Sequence, residues 1–132
     1  DHYYTTSPQE MENAITQYHY SSEGDACLVF DFQASGTAPL YHLFSPSRTN
    51  NFYTTDENER NTAVQNWGYT YEGVAAYIYP SAVDGSVPFY RLYNPMPVAD
   101  HFYTTDVNER DAAARIGGYV DEGIAGYVLP VQ

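Results

Sequence analysis

Basic residues are scarce. Lysine and arginine together number five against 17 aspartates and glutamates, for a formal charge of -12. A surface of that sign repels nucleic acid and anionic lipid, so neither is expected as a partner. Cysteine is nearly absent: Cys27 is alone, so no disulfide can form within the chain. Its setting, Ala26-Cys27-Leu28-Val29-Phe30, reads as a buried apolar run with Cys27 as a small hydrophobe; an intermolecular disulfide or a reactive thiol is the alternative. No apolar run reaches the roughly 18 residues of a membrane span, so no membrane insertion is expected. Asp1-His2-Tyr3-Tyr4 has no signal-peptide character, and any leader would already have been removed. The sequons of N-glycosylation are missing too. So are Gly-x-Ser-x-Gly, the P-loop, Cys-x-x-Cys and His-Glu-x-x-His, which leaves no sequence ground for a cofactor, a metal or a known catalytic constellation.

What is abundant is tyrosine, 15 residues in a chain of 132, and the tyrosines recur in register. Tyr90-Arg91-Leu92-Tyr93-Asn94-Pro95 matches Tyr41-His42-Leu43-Phe44-Ser45-Pro46. His101-Phe102-Tyr103-Thr104-Thr105-Asp106 matches Asn51-Phe52-Tyr53-Thr54-Thr55-Asp56 and His2-Tyr3-Tyr4-Thr5-Thr6-Ser7. Asn108-Glu109-Arg110 repeats Asn58-Glu59-Arg60. Gly118-Tyr119-Val120-Asp121-Glu122-Gly123 repeats Gly68-Tyr69-Thr70-Tyr71-Glu72-Gly73, with His19-Tyr20-Ser21-Ser22-Glu23-Gly24 in the first copy. Such internal repetition decides the fold before any local reading.

Each copy reads as strand, strand, helix, turn, strand. A Tyr-x-Leu alternation precedes an Asn/Ser-Pro turn, and Phe-Tyr-Thr-Thr suits a half-buried pleat. Ser7-Pro8-Gln9-Glu10 has the N-cap, first-turn proline and N3 glutamate of a helix start, and Asp56 with Glu59 and Asp106 with Glu109 repeat that box. Met11, Ala14, Ile15 and Tyr18, then Ala63, Val64 and Trp67, fall at helical spacing, as an apolar stripe facing a core would. Gly68 and Gly117-Gly118 stop the later helices. The expected fold is therefore α+β: one domain over residues 1–132, with three repeats (1–32, 39–80, 88–130) about a pseudo-threefold axis, antiparallel strands and three short helices. The first copy lacks its opening strand. Either processing removed that strand, or the slot is filled by Val128-Leu129-Pro130-Val131-Gln132 of the same chain or of a second copy in a homodimer.

The set Tyr-Arg-Leu-Tyr-Asn-Pro, Asp-His-Phe-Tyr-Thr-Thr-Asp, Glu-Arg, Gly-Tyr and Glu-Gly-Ile-Ala-Gly-Tyr resembles a secreted tandem-repeat family of mushroom-forming fungi and bacteria, often appended to extracellular enzymes. The resemblance covers nearly the whole chain, is closest over Tyr90 to Pro130, and implies a secreted, lectin-like protein. The low lysine and high Tyr, Thr, Ser and Asn content agrees with secretion.

The chemistry of the repeats points the same way. Glu23, Glu72 and Glu122 recur in the Glu-Gly turn of every copy, which suggests carboxylates that accept backbone N–H bonds rather than a catalytic pair. His2 and His101 occupy equivalent slots, spread one per copy instead of clustered as metal ligands. Saccharides bind where aromatic faces meet a few placed polar groups. Strand alternation puts Arg91 and Tyr93 on one face, so Arg91, Tyr93, Asn94, Asp100, His101 and Tyr103 are expected to meet near one turn of the third copy. Their counterparts are His42, Asn51 and Tyr53 in the second copy and His2 and Tyr4 in the first. The expectation is a non-catalytic module with repeated weak sites for glycans or glycoproteins, made effective by multivalency. The alternatives are a secreted protein-interaction or defence module and, further off, a hydrolase.

Overall fold

The computed structural model describes residues 4–8, 15–20, 26–95 and 99–130. Three N-terminal strands come first: β1 (Tyr4–Pro8), β2 (Ile15–Tyr20) and β3 (Ala26–Phe30). Two units of identical order follow. The first unit is β4 (Ala38–Ser45), β5 (Asn50–Thr54), α1 (Glu57–Asn66) and β6 (Thr70–Ile78). The second unit is β7 (Val87–Asn94), β8 (Asp100–Thr104), α2 (Val107–Arg115) and β9 (Val120–Pro130). All pairings are antiparallel, in the order β5-β4-β6-β3-β9-β7-β8, with β2 and then β1 on the other edge of β3.

This overturns the expected α+β architecture of three repeats with three helices about a threefold axis. The fold is mainly β, and the described residues hold two short helices. Where the first copy was expected to form a helix, Ile15–Tyr20 is a strand, with Ile15 to His19 paired residue by residue with β3. Met11 and Ala14 lie outside the described residues. The physical reason is visible in the sequence: Ile-Thr-Gln-Tyr-His-Tyr is β-branched and aromatic, and the helical spacing of Ile15 and Tyr18 is outweighed by a complete ladder on β3. Ser7-Pro8 ends β1 instead of starting a helix; proline is tolerated at such a strand end.

The two helices do begin where expected. The Asp56 carboxylate accepts from the N–H groups of Asn58 and Glu59, and Asp106 does the same for Asn108 and Glu109. They do not carry the expected apolar stripe. Only Ala63 is buried in α1 and nothing in α2, while Val64 and Trp67 are 43% and 45% exposed. The helices are fastened instead by stacked guanidinium groups: Arg60 lies 4.4 Å from the Tyr41 ring centre and Arg110 4.5 Å from Tyr90.

One core joins the units. Leu40, Tyr53, Ala76 and Ile78 pack with Phe89, Leu92, Tyr103 and Val128, and Cys27 and Val29 of β3 close it. Cys27 is buried there, as its apolar run suggested. The ends of β6 and β9 meet through paired hydrogen bonds between Tyr79 and Tyr127, 3.0 and 2.7 Å long. Gly126 makes that approach feasible, since a Cβ there would come within 2.5 Å of the Ile78 side chain. Leu129 and Pro130 pair with Leu28 and Cys27 of the same chain.

Candidate ligand-binding cleft

The short strands β5 and β8 face each other between the units, and this decides the site. All five residues of β5 and four of five in β8 are buried. Side chains on both faces of β5 meet both units: Phe52 lies on Tyr69 of its own unit and His101 of the neighbour, and Tyr53 on His42 of its own unit and Tyr103 of the neighbour. Beside this seam lies a cleft of about 230 Å³. The first unit lines it with Arg48, Phe52, Glu59, Trp67 and Tyr69; the second with Arg91, Tyr93, His101 and Glu122.

Arg91 is the fastening between the units. Its Nη1 and Nη2 donate to the two carboxylate oxygens of Glu59 at 2.9 and 2.8 Å, and its Nε donates to Glu122 Oε1 at 2.9 Å. Such a forked pair is the geometry that arginine alone supplies. Glu59 comes to the seam through a local motif. The Thr54 hydroxyl accepts from the Asp56 N–H and donates to Glu59 Oε1. The glutamate of the expected capping box thus turns away from the helix N-terminus and toward Arg91. Glu122 arrives by a β-bulge: Tyr90 pairs with Ile124 and Leu92 with Asp121, so Glu122 and Gly123 together oppose Arg91. The Glu122 carboxylate therefore serves an ion pair, and the expected backbone bond in the turn is made by its neighbour, Asp121 Oδ1, which accepts from the Gly123 N–H at 2.8 Å.

The two carboxyls are driven apart. Burial raises both, but for Glu59 the hydrogen bond and charge of Arg91, with the Thr54 hydroxyl, outweigh it and hold the pKa below its usual value. For Glu122 burial prevails over the charge and hydrogen bond of Arg91, helped by repulsion from Glu59, and the pKa is raised.

His101 is fixed by Asn50. The Asn50 Oδ1 accepts from the His101 backbone N–H at 3.0 Å, so its Nδ2 must face the ring, where it lies 2.7 Å from Nδ1. The same Nδ2 donates to the Tyr69 hydroxyl at 2.7 Å. Nδ1 is thus an acceptor and Nε2 carries the proton, 3.6 Å from Glu122 Oε1. Burial, then the Arg91 charge, outweigh the opposing pull of Asp100 and depress the imidazole pKa to about 3. His101 is neutral at physiological pH.

Aromatic rings form the rest of the cleft. Phe52 lies 4.7 Å from the His101 ring and 5.5 Å from Tyr69, and Tyr93 lies 4.6 Å from His101. The Arg91 guanidinium sits 4.8 Å above Phe52. Trp67, at the C-cap of α1, is 45% exposed. Arg48 covers Tyr69 at 5.1 Å and donates Nη2 to the Trp67 carbonyl. Such a cleft offers ring faces and charged hydrogen-bonding edges. Among the described residues no three His, Cys, Asp or Glu side chains are placed to hold a metal ion.

Of the expected site residues, Arg91, Tyr93 and His101 line the cleft. Tyr103 and Tyr53 do not: they are 0% and 2% exposed and belong to the core, where the Tyr103 hydroxyl accepts from the Tyr53 N–H and donates to its carbonyl. Alternation failed as a guide because both faces of β5 and β8 are covered. Asn51 is buried too and bonds His42 Nε2 at 2.7 Å, with His42 stacked on Tyr53. Asp100 accepts from the Tyr119 hydroxyl, and Asn94 Nδ2 donates to the Gly117 carbonyl; neither lines the cleft. His2 lies outside the described residues, and Tyr4 is placed on β1 only. The cleft is lined by residues of both units rather than of one copy. Sequence reasoning missed Arg48, Phe52, Glu59, Trp67, Tyr69 and Glu122. The available signal was difference between copies: Trp67 stands where the second unit has Gly117.

A family model described as "Domain of unknown function (DUF5648)" matches residues 1–129. No curated protein and no solved structure matches the chain.

Proposed function

The chain belongs to the DUF5648 family, and on that premise we propose that it is a non-catalytic, secreted saccharide-binding module whose ligand lies in the cleft between the two units. The family description carries no activity, so support for this reading comes from the cleft. The observation that carries it is Trp67, a large ring half-exposed at the rim of a concave surface floored by Phe52, Tyr69 and Tyr93. An exposed indole over an aromatic floor, beside a few oriented polar groups, suits the apolar face and hydroxyl edge of a sugar ring. The volume of about 230 Å³ lies below the roughly 300–1,000 Å³ usual for pockets that enclose a drug-sized ligand, which suits one or two rings rather than a long chain.

A second reading, glycoside hydrolysis, draws on Glu59 and Glu122, whose carboxyls are shifted in opposite directions. What weighs against it is Arg91, which hydrogen-bonds both carboxylates and accounts for them as a clamp between the units.

The test is a glycan array probed with the labelled protein and with Trp67→Ala. Saturable binding to a related set of glycans, weakened about tenfold or more in the variant (1.4 kcal/mol or more) and without release of shorter sugars, is the expected outcome. Silence across the array would move the weight to a protein partner, and turnover that is lost in Glu122→Gln would replace binding by hydrolysis.

A further inference from the structure

Arg48 is the anomaly of the cleft. All five basic residues are arginines, and four of them are partly buried. Three of those four pair with carboxylates: Arg60 with Glu57, Arg91 with Glu59 and Glu122, Arg110 with Asp111 and Asp121. Arg48 has no carboxylate within ion-pair distance among the described residues, in a chain with 17 acidic side chains.

Comparison of the two units separates what Arg48 does for the fold from what it adds. Its Nη2 donates to the Trp67 carbonyl and packs against Gly68, where a Cβ would lie 3.5 Å away. In the second unit Asn94 Nδ2 does the same, donating to the Gly117 carbonyl and lying 3.5 Å from a Cβ at Gly118. A neutral amide is therefore sufficient to close this turn. The positive charge is in excess of the structural need, and it occurs on the unit that also carries Trp67 in place of Gly117.

The backbone carries a second mark. Thr49 has φ 51°, and it is the one non-glycine residue with positive φ among those described. A β-branched side chain is poorly accommodated there, and such conformations persist where the surroundings enforce them. The residue held in this turn beside Thr49 is Arg48.

We infer that the cleft selects a carboxylate-bearing saccharide, a uronic or sialic acid, whose carboxylate docks on the Arg48 guanidinium while a ring face meets Trp67. The inference rests on the saccharide-binding reading and names its ligand class. The guanidinium matches a carboxylate in shape and charge. The overall charge of -12 opposes an anion at long range, but at physiological ionic strength that field is screened beyond about 8 Å. Inside the cleft Arg91 is neutralised by its two glutamates, whereas the charge of Arg48 is available.

The experiment compares matched probes by titration calorimetry: 3′-sialyllactose against lactose, and trigalacturonate against its methyl ester. In at least one pair the carboxylated member binds about tenfold tighter or more. Arg48→Gln, which removes the charge and keeps an amide donor, abolishes that preference while the variant still unfolds cooperatively, and Arg48→Lys retains part of it. Equal binding within both pairs, or a preference that survives Arg48→Gln, overturns the inference and leaves the saccharide reading standing. No binding of either acidic sugar also overturns it; the array then separates the two, since a neutral glycan bound there keeps the wider reading and silence there removes both.

Discussion

Asn50 shows how much one side chain does at the seam. Fully buried, it spends its carbonyl on the His101 backbone and its amide on the His101 ring and the Tyr69 hydroxyl. Asn50→Ala would leave these buried groups without partners and should cost roughly 2–3 kcal/mol in urea unfolding. The same contact sets the pH response. Protonating His101 would set an N–H against the Asn50 amide, in a buried site already beside Arg91. The folded pKa of about 3 lies below the ordinary value of about 6.5. The unfolded chain therefore takes up the proton first as pH falls. Stability attributable to this residue is full above about pH 6.5 and is lost by about 1.4 kcal/mol per pH unit down to about pH 3. His101→Asn, the residue found at the matching position 51, should flatten the unfolding curve in that window. An unchanged slope in the variant would show that His101 is not the titrating group.

At the scale of elements, the helix starts, their N-caps and the glycine stops were legible, because they depend on residues adjacent in sequence. Asp106→Ala should therefore cost about 1 kcal/mol, as loss of a cap does, measurable as a lowered melting temperature. The faces of β5 and β8 were not legible. Alternation assigns a strand one buried and one exposed side, and nothing local says that a second unit covers the other. Tyr53 and Tyr103 read as ligand contacts for that reason and proved to be core. The bulge that aims Glu122 at Arg91 depends on a register shift between β7 and β9, which is also invisible in a single strand. Arg91 then joins elements from both units. Arg91→Ala strands Glu59 in a half-buried site and should cost about 2–4 kcal/mol; Arg91→Lys should recover less than half, since an ammonium cannot reproduce the fork. Equal stability of the lysine variant and the native chain would contradict the clamp.

For the whole molecule, repetition in the sequence implied like units, two of which share one element order, and misled about their number and their helices. Two copies fold alike; residues 15–20, which resemble a helix by spacing, form a strand because β3 offers a ladder. Repetition also drew attention to what the copies share. The cleft depends on what they do not share: Trp67 against Gly117, Arg91 against His42, His101 against Asn51. On the proposed reading, a cleft lined by both units predicts one ligand per chain, where repetition suggests two or three weak sites.

Trp67 is the only tryptophan in the chain and sits at the rim of the cleft, so its emission reports occupancy directly. Titration with a glycan selected on the array should shift or quench that emission saturably, at one equivalent per chain. A glycan that binds while leaving the emission unchanged, or that binds at two or three equivalents, would contradict a single site between the units.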